Sequence, residues 1–455
     1  MTLDWPALSS TLLGDVLRPD SAEYDAARKP AIARFDGIRP QAVVRCAGPV
    51  DVAETISFAA RHDVPVAIRS GGHCFAGRSS TSGLLLDVSP MNSVSLTGDV
   101  ATVGAGTRLA ELYAALDEHG RTVAAGCGDT VGIAGLALGG GIGILGRRYG
   151  TTSDQLVGAQ VVLADGRVLD CDDERDPDLF WALRGAGGGT FGVVTSLALR
   201  TVPAPAATAF ALTWSGSDVA AVVGAWPAWA SAAPDELSAS LVVHAPVGAD
   251  AVATVFGAMQ GVESDTMPLL DELAVRVGTD PSSASFHYAP FREAKRALAR
   301  LSDRQHGTRH TYPLSRSEFF RRPVPAGAIT ELVASLGSAR PGEARELDFT
   351  PLRGAYDRVP AHATAYVHRQ LDFLLKYEAI IDVDAPEADV ESGRDWLARS
   401  WTTAHPWGSG QAYQNFPDAG PDLDGGARAY YGINTAKLHD VKHRYDPTGF
   451  WRGFS

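Results

Sequence analysis

Along the first part of the chain, short apolar runs are separated by segments with helical periodicity. The run at 42–45 is followed by Pro49, which opens a segment with Val52 and Ile56 on one helical face. A second apolar run then ends at Arg69. This alternation predicts a β-α-β beginning to the fold.

Apolar or alternating runs and helical periodicity also predict the other elements of this first part. The dipeptide Asp165-Gly166 is a preferred hairpin turn and lies between two alternating segments. The further predicted elements are a short helix through Leu8, Leu12 and Val16, strands at 84–88 and 100–104, a helix at 107–119, a hairpin at 155–170, and a helix, glycine loop and strand over 176–200.

Composition changes near the Pro-Ala-Pro segment at 203–205, which predicts a domain boundary. Beyond it, strands such as 237–243 and 252–259 alternate with amphipathic helices, of which 325–336 is the clearest. Residues 287–322 are rich in Arg and His and are predicted to be irregular, either a solvated face or a lid. The tail from 411 returns to glycine and aromatic residues and is expected to rejoin the first part. We therefore predict domains at 1–205 and 206–408, with 409–455 completing the first.

Composition and charge narrow the class of protein. Apolar residues make up 45% and charged residues 20% of the chain, which is typical of a soluble globular protein. The net charge is −13, and no basic cluster indicates nucleic acid or anionic lipid as a partner. The N-terminus shows no signal-peptide pattern, and no apolar run is long enough to span a membrane. A cytoplasmic protein is expected.

Cysteine and histidine spacing argues against a metal site. The four cysteines, Cys46, Cys74, Cys127 and Cys171, have neither disulfide nor zinc spacing. The 12 histidines are scattered along the chain without ligand spacing. We therefore expect no metal.

One histidine nevertheless has a distinctive setting, in the segment RSGGHCFAGRSS at 69–80. His73 follows a buried-strand pattern and two glycines, and backbone N–H groups of such a turn can approach an anion. The residues alone allow a metal ligand, a general base or a point of cofactor attachment.

Two glycine-rich segments, at 124–150 and 185–189, favour a cofactor among the roles left open for His73. The first is too rich in glycine to predict a helix and too apolar to be a solvated linker. A large, flat ligand lying against the backbone accounts for both properties. Together with the His73 turn, these segments indicate one extended, nucleotide-like cofactor.

Six motifs in order carry a resemblance to a known family. They are RSGGHCFAG, GCGDTVGIAGLALGGGIG, DLFWALRGAGGGTFGVVTS, TAYVHRQ, YQNFPD and YYGINTAKLHDVKHRYDP. Together they resemble the bacterial type of the berberine-bridge-enzyme-like FAD-linked oxidases, within the vanillyl-alcohol-oxidase (PCMH-type) flavoprotein superfamily. The resemblance implies an α+β, two-domain PCMH-type FAD-binding fold whose substrate domain is an antiparallel sheet covered by helices.

The resemblance also implies where FAD binds. His73 matches the family histidine bonded to the flavin 8α-methyl carbon. Cys127 is a candidate for a second bond, to flavin C6, although its loop has one residue more between the sulfur and Val131 than the family pattern, which places Gly128 at the family position. The full set of expected cofactor-binding residues is Arg69, Ser70, Gly71, Gly72, His73, Cys74, Gly77, Cys127, Thr130, Val131, Gly132, Gly135, Gly139, Gly140, Gly141, Gly143, Val193, Val194, Tyr413, Asn415 and Asn434.

The implied reaction is hydride transfer from an alcohol, hemiacetal or related C–H bond of a secondary metabolite or sugar to covalent FAD, with dioxygen as acceptor and H2O2 as product. Tyr413 matches the family's proton-transferring tyrosine. A tyrosine with an ordinary pKa near ~10 needs help from Arg, Lys or another Tyr to act as a base. Tyr366 and His368, expected on one face of a strand with Arg369 opposite, are further catalytic candidates.

Other readings of the same scaffold remain open. A dehydrogenase with another acceptor, a redox-neutral or oxidative cyclase, and a non-catalytic flavin-binding protein are the alternatives. Trp401, His405 and Trp407 are candidates for an aromatic wall of the substrate cleft. The partners expected are a small-molecule substrate and O2, with a monomer or homodimer as the assembly.

Overall fold

A computed structural model describes residues 3–246, 248–306, 310–417 and 426–451, with side chains left out over 300–306. Within this part of the chain, no helix is both long and apolar enough to cross a membrane. The motif residue Asp418 and the last four residues lie outside the described ranges.

The first part of the chain carries two sheets and a two-stranded ribbon. One sheet has the order β1-β2-β4-β3, the second β5-β6-β10-β8-β9, and the ribbon joins β7 to β11. The strands are β1 Asp15–Leu17, β2 Ala42–Arg45, β3 Val66–Arg69, β4 Leu84–Asp87, β5 Val94–Thr97, β6 Val100–Gly104, β7 Arg121–Thr122, β8 Leu156–Val162, β9 Val168–Cys171, β10 Val193–Arg200 and β11 Val202–Pro203.

Seven helices accompany these strands. The predicted β-α-β beginning is confirmed, because β2 and β3 flank helix α3 and both pair in parallel with β4. The helices are α1 Trp5–Thr11, α2 Tyr24–Arg28, α3 Pro49–Arg61, α4 Leu109–Asp117, α5 Ile133–Leu138, α6 Gly146–Tyr149 and α7 Pro177–Leu183.

The middle part forms a seven-stranded, fully antiparallel sheet of order β15-β12-β14-β13-β17-β18-β16. Its strands are β12 Ala206–Ser215, β13 Leu237–His244, β14 Val252–Met259, β15 Ser283–Pro290, β16 Thr311–Phe320, β17 Glu343–Pro351 and β18 Phe373–Asp382. Its helices are α8 Val219–Ala232, α9 Glu263–Val277, α10 Phe291–His306, α11 Ala326–Leu336 and α12 Glu387–Ala404. The tail adds α13 Ala427–Tyr431 and α14 Thr435–Tyr445.

Short 3₁₀ turns complete the described elements. They are Ala33–Phe35, Thr152–Gln155, Gly216–Asp218, Gly354–Asp357, His405–Trp407 and Gly432–Asn434.

Helices α8, α9, α11 and α12 cover one face of the large sheet, because alternate strand residues supply a continuous apolar face. Leu241, Val243, Leu347, Phe349 and Leu375 from the strands are all buried in that core. Helix α10 instead packs on the opposite face, through Ala294 and Leu298. This agrees with the expected antiparallel sheet covered by helices.

A separate core unites the first part of the chain with its tail. Tail residues Tyr430, Tyr431 and Leu438 are buried together with residues of α3, α4 and α7. We therefore propose the divisions at 205/206 and 408/409 as domain boundaries, since each core draws its residues almost entirely from one side of them.

Three predicted elements outside the aromatic cluster of Tyr413 were wrong. Val16 belongs to β1, where it pairs with Val44, because the Asp51 carboxylate accepts N–H groups of Leu13 and Gly14 and turns the chain out of α1. The described residues between 287 and 320 are mostly regular and comprise the end of β15, helix α10 and β16, because Ala294 and Leu298 of α10 pack on the large sheet.

The glycine-rich segment at 124–150 also contains helix, namely α5 and α6. Within α5, Gly135 is the one glycine, and its cost of about 1 kcal/mol relative to Ala is small. Ile133, Ala134, Ala137 and Leu138 are all buried, so packing on one face outweighs that cost.

Candidate functional site

The loop after β3 is fixed at its base by Arg69, which is 5% exposed. Its guanidinium donates to the carbonyls of Ala27 (3.0 Å), Arg28 (2.6 Å) and Ser79 (2.8 Å). It also contacts the Ser80 hydroxyl at 3.1 Å. The side chain therefore closes the His73 loop, and any contact of Arg69 with a cofactor stays a prediction.

The His73 turn packs directly against the turn that follows Cys127. A Cβ on Gly71 would lie 2.2 Å from the Gly132 nitrogen, and one on Gly132 would lie 2.1 Å from the Ser70 hydroxyl oxygen. The Nε2 of His73 lies 2.9 Å from the Thr130 hydroxyl. Burial lowers the pKa of His73, against a hydrogen bond with Thr130 that raises it, and the lowered pKa favours the neutral imidazole.

The Cys127 loop is anchored beyond the cysteine by helix α4. Ala110 N donates to the Asp129 carbonyl (3.0 Å), and Leu109 N donates to the Val131 carbonyl (3.0 Å). Cys127 is partly buried and, like the other three cysteines, forms no disulfide. The structure thus brings His73, Thr130 and the Cys127 loop together, as the motifs predicted.

The predicted cofactor glycines divide into two groups. At Gly139, Gly140, Gly141 and Gly143, a Cβ would collide with Asn415 (2.2 Å), Tyr366 (2.6 Å), Thr152 (2.4 Å) and the Ala125 carbonyl (2.1 Å). These four glycines therefore permit close approach of protein atoms, and their contacts with a cofactor stay predictions. Gly77 is likewise packed against the Phe35 ring, at 2.5 Å.

Other glycines face open space. Nothing lies within 4 Å of a Cβ built on Gly135 or on Gly187, and Gly187 has a φ of +91°. Gly188 and Gly189 meet only the tips of Leu138 and Ile68, at 3.8 and 3.7 Å. A bare backbone surface of this kind accepts a flat ligand without displacing side chains.

Tyr413 is 2% exposed, and three N–H groups donate to its hydroxyl oxygen. They come from Gly141 N (3.0 Å), Ile142 N (3.1 Å) and Asn415 Nδ2 (3.0 Å). Burial raises the pKa of Tyr413, while these three hydrogen bonds lower it. The expected help from Arg, Lys or a second Tyr is thus replaced by backbone and Asn415 donors.

Tyr366 and His368 do not lie on a strand, contrary to the prediction. Ala365 N and Tyr366 N donate to the carbonyls of Trp181 and Arg184, so the segment follows the end of α7 instead of joining a sheet. Nor does Arg369 oppose Tyr366: its guanidinium lies 4.9 Å from the Tyr366 ring centroid.

The two predicted catalytic side chains have different surroundings. The Tyr366 hydroxyl is buried without a hydrogen-bond partner among the described residues. His368 is 1% exposed, and its ring nitrogens contact Gln411 Oε1 (2.8 Å) and Gln414 Oε1 (3.0 Å). Burial lowers its pKa to about 4. His368 also stacks on Phe319, with 4.3 Å between ring centroids, and therefore supports the aromatic cluster around Tyr413.

The remaining predicted cofactor contacts come from the tail, the His73 turn and β10. Asn415 Nδ2 also donates to the Leu136 carbonyl, which links the tail to α5. Asn434 Nδ2 donates to the carbonyls of Ala361 (2.8 Å) and Thr364 (3.0 Å), so it holds the segment before Tyr366. Ser70, Gly72 and Cys74 lie within the His73 turn, and Val193 and Val194 are buried on β10. Their contacts with a cofactor stay predictions.

The residues predicted to form an aromatic wall, Trp401, His405 and Trp407, lie at the end of α12 and in the 3₁₀ turn after it. Trp401 stacks on His405 with 3.9 Å between ring centroids, and Trp401 and Trp407 both pack against the helix-covered core. His405 Nδ1 contacts the Glu318 carboxylate at 3.0 Å. Trp401 and Trp407 therefore pack on the core with part of their surface, and their place in a substrate cleft stays a prediction.

A charged strip on the large sheet was missed by the sequence analysis. It consists of Ser315, Glu346, Asp348, Lys376 and Glu378, which alternate with core residues and so share the opposite sheet face. Lys376 Nζ lies 3.2 Å from Glu378 and 3.4 Å from Asp348. The signal was present in FLLKYEAIID, where Lys376 and Glu378 interrupt an otherwise apolar and aromatic run that ends at Asp382.

The strip is almost fully enclosed. Burial opposes the charge on Lys376, but the neighbouring carboxylates outweigh it and raise the Lys376 pKa. Burial, then Glu378, raises the pKa of Glu346 well above its usual range. Phe416 connects the strip to the tyrosine: its ring centroid is 5.2 Å from Lys376 Nζ and 5.0 Å from the Tyr413 ring centroid.

These features fit a flavin cofactor. The open glycine backbone at Gly135 and Gly187 accepts a flat ligand, and the His73 imidazole lies against Thr130 of the loop that carries the Cys127 thiol. In the described part of the chain, no cluster of three or more His, Cys, Asp or Glu side chains could hold a metal ion.

Comparison with known proteins identifies the family. Residues 40–172 match the model of an FAD binding domain, and residues 412–453 match the model described as berberine and berberine like. The FAD-linked oxidoreductase YgaK of Bacillus subtilis is 30% identical over 97% of this chain and 96% of its own. Berberine bridge enzyme-like 6 of Arabidopsis thaliana is 30% identical over 88% of this chain and 78% of its own.

A solved structure agrees with this assignment. Glucooligosaccharide oxidase from Acremonium strictum, described as carrying a 6-S-cysteinyl, 8α-N1-histidyl FAD, superposes with a TM-score of 0.88 at 25% identity, covering 98% of this chain and 97% of its own. The predicted fold and the prediction of FAD as cofactor are both confirmed. The chain belongs to the berberine-bridge-enzyme-like family of FAD-linked oxidoreductases.

Proposed function

We propose that this protein is an oxidase that carries FAD covalently on His73 and oxidises an alcohol, hemiacetal or related C–H bond of a small secondary metabolite or sugar. Dioxygen is the acceptor and H2O2 the second product. The bond to flavin forms at His73 Nδ1, since Nε2 is engaged by Thr130. Bound FAD supplies the hydride acceptor, and the protein supplies orientation and proton handling.

The observation that carries this proposal is the setting of the Tyr413 hydroxyl. Its oxygen already accepts three N–H bonds, from Gly141, Ile142 and Asn415. Such preorganised donors stabilise a phenolate in a buried site, where they are stronger than in water. Tyr413 can therefore take the substrate's hydroxyl proton at Oη despite a pKa that burial raises.

The charged strip is proposed to orient the substrate. Asp348, whose side chain is the most exposed of the strip, can accept a hydrogen bond from a hydroxyl group of a sugar or polyketide, and Lys376 lies 3.4 Å from that carboxylate. Because Phe416 touches both Lys376 and Tyr413, this recognition lies one aromatic ring away from the proton acceptor. Tyr366 and His368, predicted above as catalytic, are proposed to hold Tyr413 in place: the Tyr366 ring packs edge-on against Tyr413, and His368 packs against Tyr366 and Phe319, which both contact Tyr413.

The cellular setting is a further proposal. The absence of disulfides among the four cysteines supports a reducing cytoplasm. A monomer or homodimer remains the proposed assembly.

The first test is the mass of the denatured, desalted protein beside that of His73→Ala. We expect the wild type to carry covalent FAD. If neither protein carries covalent FAD, the attachment is wrong, whereas flavin retained by the variant assigns a bond to Cys127.

The second test is turnover. Candidate alcohols, sugars and polyketides are mixed with the holoenzyme under nitrogen, and flavin bleaching is followed by absorbance. Admission of air should restore the colour with one H2O2 formed per substrate oxidised. Bleaching without reoxidation by air indicates a dehydrogenase with another acceptor, turnover without net bleaching or peroxide indicates a redox-neutral cyclase, and no bleaching with any candidate favours the non-catalytic alternative.

A further inference from the structure

Helix α10 belongs to the second part of the chain but inserts one face into the first. Phe291 packs in the first core and meets Tyr113 of α4 edge-on, with 6.5 Å between ring centroids. Arg292 lies 3.6 Å from Asp117, at the end of the same helix. One turn of α10 is thus docked on α4, beside the loop that carries Cys127.

Lys295 lies at the centre of this contact and is 4% exposed. Its Nζ donates to the Gly126 carbonyl at 2.6 Å and stands 3.2 Å above the Tyr113 ring centroid. The Tyr113 hydroxyl donates to the same carbonyl at 3.0 Å. The residue immediately before Cys127 is therefore held by two side chains, one from each part of the chain.

The burial of Lys295 disfavours the positive charge on its side chain. In the described part of the chain it forms no ion pair with a carboxylate; its contacts are a carbonyl and a ring. Burial lowers its pKa to about 8, and the nearby Cys127 and Asp129 favour its charged form. A buried ammonium of this kind is stabilised by anions near it, which here are the Asp129 carboxylate and, once deprotonated, the thiol of Cys127, the residue after Gly126.

We propose that Lys295 is a positioning residue for a second covalent bond to FAD: its charge holds the Cys127 sulfur as the thiolate that bonds to flavin C6. This inference rests on the proposed covalent flavin. It also addresses the extra residue in the Cys127 loop, since the loop is fixed on both sides of the cysteine, by Lys295 at Gly126 and by α4 at Asp129 and Val131.

The bond-forming step balances with dioxygen as oxidant. The Cys127 Sγ–C6 bond forms and the C6–H bond breaks. The two electrons pass to the flavin and then to O2. With the thiol proton and the C6 proton, O2 leaves as H2O2. The thiolate is the nucleophile, so formation of this bond depends on a neighbouring positive charge.

The test is the mass of two proteolytic peptides, one containing His73 and the other Cys127, from FAD-loaded proteins purified alike. In the wild type we expect the flavin to bridge both peptides. Lys295→Met retains the volume of the side chain without its charge. We expect the bridge to fall by about tenfold or more, while the His73 peptide keeps its flavin at the wild-type level. Lys295→Arg restores the charge and should recover the bridge.

Tyr113→Phe is the matched control, because it removes the other donor to the Gly126 carbonyl but no charge. It should keep the bridge. An equal loss in Tyr113→Phe and Lys295→Met would show that the carbonyl contact matters and not the charge, and would overturn the proposal.

Other outcomes are equally decisive. A full bridge in Lys295→Met, or equal loss of flavin from both peptides in Lys295→Met and Lys295→Arg, overturns the role of Lys295. A wild type with flavin on the His73 peptide alone also overturns it, yet leaves the proposed function standing. A wild type without any covalent flavin refutes the covalent attachment itself.

Discussion

Tyr356, Tyr366 and Tyr413 are fully buried in one aromatic cluster, yet their hydroxyls meet different surroundings. The Tyr413 oxygen accepts three N–H bonds, and that of Tyr366 has no described partner. The Tyr356 hydroxyl pairs with the backbone of Gly143, at 3.3 Å from its nitrogen and 3.2 Å from its oxygen. The three N–H donors directed at the Tyr413 oxygen therefore distinguish this candidate base from Tyr356 and Tyr366, which lie in the same cluster.

Tyr413→Phe is therefore expected to lower kcat/KM by about 10²–10⁴-fold, the usual contribution of a general base. The amount of bound FAD, read from its absorbance, should stay at the wild-type level, since the ring and its packing remain. Steady-state oxygen consumption measures the loss.

Tyr356→Phe serves as the control for that variant, as it removes a buried hydroxyl from the same cluster. We expect less than about a tenfold change, in keeping with loss of one neutral hydrogen bond. Equal losses in the two variants would assign the effect to packing and remove Tyr413 as the proton acceptor.

The titration of His368 makes the free energy of unfolding depend on pH. Its pKa is about 4 in the folded protein against the ordinary 6.5, because burial disfavours the imidazolium. The unfolded chain therefore binds the proton more readily, so stability from this group is present above pH 6.5 and is lost as pH falls towards 4. Between pH 7 and pH 5 we expect a loss of about 2 kcal/mol from His368.

Urea unfolding of His368→Gln at both pH values checks this prediction. The variant should lose less stability on acidification than the wild type, by roughly that amount. His119→Gln, at an exposed position, should follow the wild type. Parallel pH dependence in the wild type and His368→Gln would contradict the prediction.

At the scale of elements, β18 combines two faces of opposite chemistry. Leu375 and Tyr377 belong to the helix-covered core, while Lys376 and Glu378 belong to the charged strip. Strand alternation allows this division, since successive side chains point to opposite faces. The same strand thus builds the core that supports the sheet and the polar face that is proposed to meet the substrate.

Lys376→Met tests the balance of charge on that strand. It would leave Glu346, Asp348 and Glu378 without their ammonium, and removing one member of a buried charge cluster costs about 3–5 kcal/mol. We expect the free energy of unfolding, measured in urea at pH 7, to fall by that amount.

Lys437→Met is the control for Lys376→Met, because Lys437 is about half exposed and lies 3.7 Å from Asp178. The cost of losing such a surface pair is about 0–1 kcal/mol. If the two substitutions lower the free energy of unfolding equally, the charged strip is more hydrated than its burial indicates.

At the scale of the whole molecule, Arg147 joins the two parts of the chain. It lies on α6 and is 1% exposed, and its guanidinium donates to the carbonyls of Ala230 (2.7 Å), Ala233 (2.5 Å) and Leu352 (2.7 Å). All three acceptors belong to the part with the seven-stranded sheet. These hydrogen bonds come from a charged group, and they fix the position of one part of the chain against the other.

Arg147→Met should therefore lower the free energy of unfolding by about 2–4 kcal/mol, because three buried carbonyls lose their donor. Its neighbour Arg148 is exposed and contacts Gln260 at 2.8 Å. Arg148→Met should change stability by less than about 0.5 kcal/mol. Calorimetry of both variants gives the comparison, and a result in which Arg148→Met is the more damaging would refute this role of Arg147.

The sequence by itself determined the local elements and the family. Periodicity placed α3, the Asp165-Gly166 hairpin and most strands correctly, because apolar spacing reflects which face of an element is buried. The ordered motifs around His73 and Tyr413 predicted FAD and the fold. These are properties of short segments, which the order of side chains specifies directly.

The tertiary structure decided which groups meet. Lys295 and Gly126 are 169 residues apart, and Tyr413 and Gly141 are 272 apart, so no spacing in the sequence connects them. The fold also puts Asn415, Tyr366 and Thr152 against three of the glycines at 139–143, which no local pattern indicated. Burial and long-range contact, which set pKa values and hydrogen-bond partners, arise only when distant segments pack together.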